Sequence, residues 1–259
     1  MIKNSLKSRW SDNRASLNGW LSIASPFSAE ILAEQGYDSI TIDMQHGILS
    51  YKDVVPMLQA MRASDVVPLV RVPWLEAGTI MKVLDAGSYG VICPMINNRQ
   101  QAEQLVSFVR YPPEGCRSFG PTRAVFSAGT NYVKEANQQI LCIAMIETAE
   151  AMKNLDEIVS TPGLDAVYIG PADLTLGITK GRLAPHFDRE EDEMVKAINK
   201  ILTAAHSADI YAAVHCGTPE YAAKAIGWGF NMVTISNDVQ LLSNAASNSV
   251  DRTRKLIDE

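Results

Sequence analysis

A chain of 259 residues, 47% apolar with a net charge of −6, is long enough to bury one large core, and an α/β barrel takes about 250 residues as one domain. Its charges form no block of one sign, which leaves no electrostatic footprint for nucleic acid or an anionic membrane; the expected partners are small molecules. Residues 1–17 are polar and no run of about 18 apolar residues occurs, so neither a signal peptide nor a bilayer span is expected and the chain reads as cytoplasmic.

In chain order, apolar runs of strand length fall near 19–24, 38–43, 67–72, 90–95, 140–146, 164–169, 210–215 and 230–236. Between them lie segments with helical spacing: Ser28 to Gln35, Val54 to Arg62, Thr79 to Asp85, Ala102 to Val109, Ala149 to Val159, Glu191 to His206, Tyr221 to Ile226 and Val239 to Ile257. Eight strand and helix units predict a (βα)8 TIM barrel, one α/β domain over residues 1–259. Gly36, Gly87, Gly163 and Gly227 follow helical segments where a C-cap glycine belongs. Residues 110–138 and 174–190 are longer connections and are expected to be functional loops. Cys93, Cys116, Cys142 and Cys216 lie far apart, which argues against disulfides or a zinc knuckle, and Cys93 and Cys142 are read as core.

Catalytic residues in such a barrel stand at the C-terminal ends of the strands. Those ends carry Asp43-Met44-Gln45-His46-Gly47, Arg71-Val72-Pro73-Trp74, Met145-Ile146-Glu147 and Val167-Tyr168-Ile169-Gly170-Pro171-Ala172-Asp173, with Asp85 closing the third helix and Trp20 in the first strand. Glu147 and Asp173, at the ends of adjacent strands, suggest a divalent metal. Each is also placed to cap the helix that follows it, and the two roles are compatible. The amides of Ala172 and Asp173, at a helix N-terminus, suit a substrate carboxylate. Arg71 in an apolar strand needs a buried anion, which favours a ligand. His46 beside Asp43 and Gly47 is read as the acid–base group, and Asp85 either pairs with Lys82 or reaches His46.

His186, His206 and His215 are read as structural, and His215, at the end of strand seven, lacks an obvious third ligand. No strand contains a lysine, whereas a Schiff-base aldolase requires one near the mouth.

At these residues the chain resembles the HpcH/HpaI aldolases, class II metal-dependent pyruvate aldolases typified by 4-hydroxy-2-oxoheptanedioate aldolase. The likeness spans nearly the whole chain through Asp43-x-x-His46, Arg71-x-Pro73, Leu84-Asp85-x-Gly87, Arg110-Tyr111-Pro112-Pro113-x-Gly115-x-Arg117, Ile146-Glu147-Thr148 and Gly170-Pro171-Ala172-Asp173-Leu174. The resemblance implies a subunit whose last helix is exchanged with a neighbour in a homo-hexamer, a trimer of dimers. It also implies that Glu147 and Asp173 hold Mg2+ or Mn2+, with Co2+ or Zn2+ as alternatives, that Arg71 stabilises an enolate, and that His46, made more basic by Asp85, moves the proton. Met145 departs from the pattern, since a typical member has a glutamine there that contacts pyruvate. Trp20 and the Arg117 to Arg123 loop are expected to shape the aldehyde end.

The chemistery asks for the same residue types. Cleaving a 4-hydroxy-2-oxo acid leaves an electron pair on the carbon next to the keto group, so an enolate of pyruvate must be stabilised by a Lewis acid and a guanidinium. A base must also take the proton from the 4-hydroxyl as the aldehyde departs. Two other readings compete. A citrate lyase or malyl-CoA lyase relative would need a basic rim for CoA, which the sequence lacks; a non-catalytic barrel would be expected to have lost one of His46, Arg71, Glu147 or Asp173.

Overall fold

The computed structural model describes residues 1–258. Eight parallel strands follow chain order around a closed barrel: β1 (Ser16–Leu21), β2 (Ser39–Asp43), β3 (Val67–Arg71), β4 (Gly90–Cys93), β5 (Leu141–Ile146), β6 (Ala166–Ile169), β7 (Tyr211–Cys216) and β8 (Met232–Ile235), with β8 pairing back onto β1. The expected TIM barrel is the fold. Strands buried on both faces read as continuous apolar runs, and all six residues of β5 are buried. The helix Asp192–Ser207 packs through one buried stripe, Met194, Ala197, Ile198, Ile201, Leu202 and Ala205.

The first strand begins at Ser16, three residues before the expected 19–24 run, and Ser16, Leu17 and Asn18 pair with Met232, Val233 and Thr234. Hydropathy missed this start because Ser16 and Asn18 are polar yet fully buried. Asn18 Nδ2 donates to Thr234 Oγ1 at 2.8 Å, while Asn18 Oδ1 accepts from Ser39 and Thr41 hydroxyls at 2.8 and 3.1 Å. The barrel interior therefore holds a satisfied polar layer as well as apolar side chains.

Four helices lie outside the expected eight. Ser5–Ser11 packs Leu6 and Trp10 into the core, where Trp10 meets Tyr211 at the start of β7. Ala124–Ala128 and Tyr132–Gln139 occupy much of the 110–138 connection, and Pro171–Thr179 takes the first part of 174–190. The segment 149–159 is two helices divided at Asn154, whose side-chain amide donates to the Asn97 carbonyl at 2.8 Å. Gly36, Gly87 and Gly163 have positive φ, as C-cap glycines do, but Gly227 lies within the helix Pro219–Trp228; the left-handed cap there is Gly229, at φ 112°. Among the described residues, no helix is long and apolar enough to cross a membrane.

The last helix, Asp238–Asp258, buries only Asp238. The Asp238 carboxylate accepts from the amides of Ser22 and Ile23 at 2.8 and 3.0 Å, which pins the start of the helix to the C-terminal end of β1.

Candidate active site

A cavity of about 690 Å³ opens at the C-terminal ends of the strands, and Trp20, Asp43, His46, Arg71, Glu147, Ala172 and Asp173 all line it. Asp43 and Arg71, directly opposite one another in the β2–β3 register, organise one wall. Arg71 Nε donates to Asp43 Oδ1 at 2.8 Å and Nη2 to Oδ2 at 2.6 Å. The buried anion that Arg71 requires is thus Asp43 of its own chain, and Nη1, with no hydrogen-bond partner among the described residues, is left for a ligand. The guanidinium also lies over the Trp20 ring, 4.8 Å from its centroid, and Trp20 Nε1 donates to Asp43 Oδ2 at 3.2 Å. Burial pushes the Asp43 carboxyl upward, but the hydrogen bonds and charge of Arg71, with the His46 amide and the Trp20 indole, outweigh it and hold the group below its usual range.

The turn after β2 wraps around the same carboxylate, since the Gln45 and His46 amides donate to Asp43 Oδ1 at 3.0 and 3.3 Å. A Cβ on Gly47 would lie 2.2 Å from the Asp43 carbonyl, so this tight turn requires glycine. The turn leaves the His46 side chain exposed at the cavity.

Opposite, Glu147 is buried at the end of β5, and its Oε1 accepts from the Met95 amide at 2.8 Å. Burial raises its carboxyl to about 7 against the opposing Met95 hydrogen bond, with the nearby Asp173 charge raising it further and Arg71 lowering it. Glu147 is buried while Asp173 is exposed at the cavity, and two carboxylates near enough to feel each other's charge repel unless a proton or a cation separates them. Packing around Glu147 is close: a Cβ on Gly170 would fall 2.6 Å from Glu147 Oε2 and 3.0 Å from Met145 Cε. Met145 lines the cavity as an apolar group. The helix Pro171–Thr179 has no side-chain cap, so its first-turn amides at Ala172 and Asp173 have no intrahelical partner and border the cavity.

The oxygen donors of Glu147 and Asp173 suit a hard divalent ion. Among the described residues no group of three or more His, Cys, Asp or Glu side chains is placed to hold a metal. Two carboxylates leave the remaining positions to water and substrate, as a catalytic site requires.

Asp85 stands apart. Its Oδ1 accepts from Arg117 Nη2 at 2.7 Å, and Arg117 is buried between Tyr111 and Tyr132, 4.5 and 5.5 Å from their ring centroids. Arg123 donates to the Ala86 and Leu58 carbonyls. Neither Asp85 nor the Arg117 to Arg123 loop borders the cavity within the chain.

Two residues escaped the sequence reading. Asp43 was visible as a charged strand end but not as the partner of Arg71; the signal was an acid and an arginine ending neighbouring strands. His215, read as structural, lines the cavity from β7. Its Nδ1 lies 3.0 Å from the Tyr168 hydroxyl, which is also 2.7 Å from Thr234 Oγ1. His186 and His206 are exposed, away from the cavity, as expected of structural or surface histidines.

The sequence profile of the HpcH/HpaI aldolase/citrate lyase family matches residues 17–245. The chain is 40% identical over 253 residues to a hydroxypyruvate/pyruvate aldolase of Rhizorhabdus wittichii, covering 98% of this chain and 100% of that protein. It is 31% identical to a 2-dehydro-3,6-dideoxy-6-sulfogluconate aldolase of Pseudomonas putida, over 90% of each. The crystal structure of a HpcH/HpaI aldolase/citrate lyase family protein from Burkholderia cenocepacia superposes with a TM-score of 0.89 at 31% identity, covering 97% of this chain and 100% of that one. The chain belongs to the HpcH/HpaI aldolase/citrate lyase family. Within that family it is an aldolase.

Proposed function

We propose that the protein catalyses reversible aldol cleavage of a 4-hydroxy-2-oxo acid to an aldehyde and a small 2-oxo acid, pyruvate or hydroxypyruvate. The observation that carries this reading is the convergence of Glu147, Asp173, Arg71 and the unpartnered Ala172 and Asp173 amides on one cavity. Glu147 and Asp173 would hold a divalent ion, Mg2+ or Mn2+, which supplies a Lewis acid for the negative charge that develops on the keto oxygen. The Ala172 and Asp173 amides bind the substrate carboxylate at the positive end of their helix. Arg71, fixed by Asp43, presents Nη1 to the keto oxygen and needs no rearrangement as charge builds there. His46 accepts the proton from the 4-hydroxyl as the bond between C3 and C4 breaks and its electron pair moves into the enolate; it returns that proton in the synthetic direction.

Exposed Leu242, Leu256 and Ile257 on the helix Asp238–Asp258 support exchange of this helix with a neighbouring subunit in a homo-hexamer. The test of the catalytic reading is exchange of pyruvate methyl protons with solvent deuterium, followed by NMR with and without Mn2+. Metal-dependent exchange is expected, and it reports enolisation whichever aldehyde is used. Absence of exchange at saturating metal would refute the reading.

A further inference from the structure

His215 is 6% exposed, and its ring is held on three sides. Phe187 stacks on it with centroids 4.5 Å apart and planes at 23°, Trp20 meets it edge-on at 5.0 Å, and the Tyr168 hydroxyl takes Nδ1. Phe187 is itself held in place, because the carboxylate of Asp188 accepts from the Gly217 amide at 2.6 Å and the Thr218 hydroxyl at 2.7 Å. Yet His215 Nε2 is buried and has no hydrogen-bond partner among the described residues, although its ring forms part of the cavity wall. A buried histidine kept for packing ordinarily has both nitrogens satisfied. An unpartnered nitrogen on a ring this firmly positioned is a preorganised binding group.

Its ligand is limited by charge and by place. Burial and the Arg71 charge depress its pKa to about 3, so the ring is neutral at working pH and is not an anion clamp. Under the proposed function, on which this inference rests, the substrate carboxylate lies at the amides after β6 and the keto oxygen faces Arg71. His215, on the next strand and against Trp20, then faces the remaining carbon of the donor, C3. A methyl group there leaves Nε2 unpartnered. A hydroxyl both donates and accepts, so it satisfies Nε2 whichever ring tautomer Tyr168 selects.

We propose that His215 Nε2 is the binding site for a C3 hydroxyl on the donor and that it selects 3-hydroxy-2-oxo acids such as hydroxypyruvate over pyruvate. Tyr168 is a positioning residue for that ring.

The experiment measures kcat/KM for C3 proton exchange with hydroxypyruvate and with pyruvate, using the Mn2+-loaded enzyme and its variants. His215→Leu is expected to lower the hydroxypyruvate-to-pyruvate ratio roughly ten- to a hundredfold, because a site built to bind a hydroxyl discriminates through that bond. His215→Gln, which keeps an amide in reach, is expected to retain much of the ratio, and Tyr168→Phe to reduce it partially. An unchanged ratio in a folded His215→Leu protein overturns this inference alone. Exchange of neither compound by the wild-type enzyme overturns the aldolase reading and this inference with it.

Discussion

Asp43 and Arg71 form a two-bond ion pair between directly paired positions of β2 and β3, and both side chains are buried. Removing one member leaves the other charge uncompensated, which typically costs about 3–5 kcal/mol. Asp43→Ala is therefore expected to lower unfolding stability by that order and to reduce kcat/KM through a displaced Arg71. The pH dependence has a definite sign. The Asp43 carboxyl is held below its ordinary value of 3.8, so its stabilisation is present above that value and is lost as pH falls through the depressed one. The stability gap between wild type and variant should shrink in acid, as denaturant unfolding at pH 7 and in the acid range would show.

Glu147 behaves in the opposite way. Its carboxyl is raised from 4.5 to about 7, so in metal-free protein its favourable contribution is complete below the unfolded value and is lost as pH rises through about 7. Thermal melts of metal-free protein should accordingly show Glu147→Gln gaining on wild type as pH rises from about 4.5 to about 7, with the difference levelling off above that. The stabilisation by Mn2+ should grow over the same interval in wild type, because the ion competes with the proton. Glu147→Gln and Asp173→Ala should both lose metal-dependent activity while remaining folded, and full activity in either after chelation would remove the carboxylate pair from the mechanism.

The barrel was legible because parallel strands buried on both faces leave continuous apolar runs, and the charged residues ending those runs marked the site. What escaped notice lay where polarity and burial coincide. Ser16 and Asn18 extend β1 while reading as loop, and His215 is a polar group whose neighbours Phe187, Trp20 and Tyr168 come from three distant segments. Asp85 is less legible for a related reason, because its partner within the chain comes from a distant loop. Its sequence position suits contact with His46, but Arg117 holds it within the chain.

His46→Ala should lower turnover by roughly 10²- to 10⁴-fold, the usual range for a positioned acid–base group, with little effect on folding because the side chain is exposed. Asp85→Asn should divide differently. Arg117 Nε and Nη1 are already buried without partners, so weakening its one carboxylate contact is expected to lower thermal stability as well as activity. Steady-state kinetics alongside thermal melts separates the two cases. An Asp85→Asn protein with wild-type melting but reduced turnover would point to a direct role at His46.

Covalent trapping gives the sharpest test of how the enolate forms. A Schiff-base aldolase needs a desolvated lysine at the mouth, whereas none of the eight strands contains a lysine and none lines the cavity. Of the charged groups that do line it, the Arg71 guanidinium and a divalent ion that Glu147 and Asp173 would hold can stabilise negative charge on oxygen without forming a covalent bond to the substrate. Incubation with pyruvate and borohydride should therefore leave the protein mass unchanged, while chelation should abolish pyruvate proton exchange and added Mn2+ should restore it. A mass increase corresponding to a reduced pyruvyl adduct, or exchange that persists after chelation, would overturn the proposed mechanism while leaving the family assignment intact.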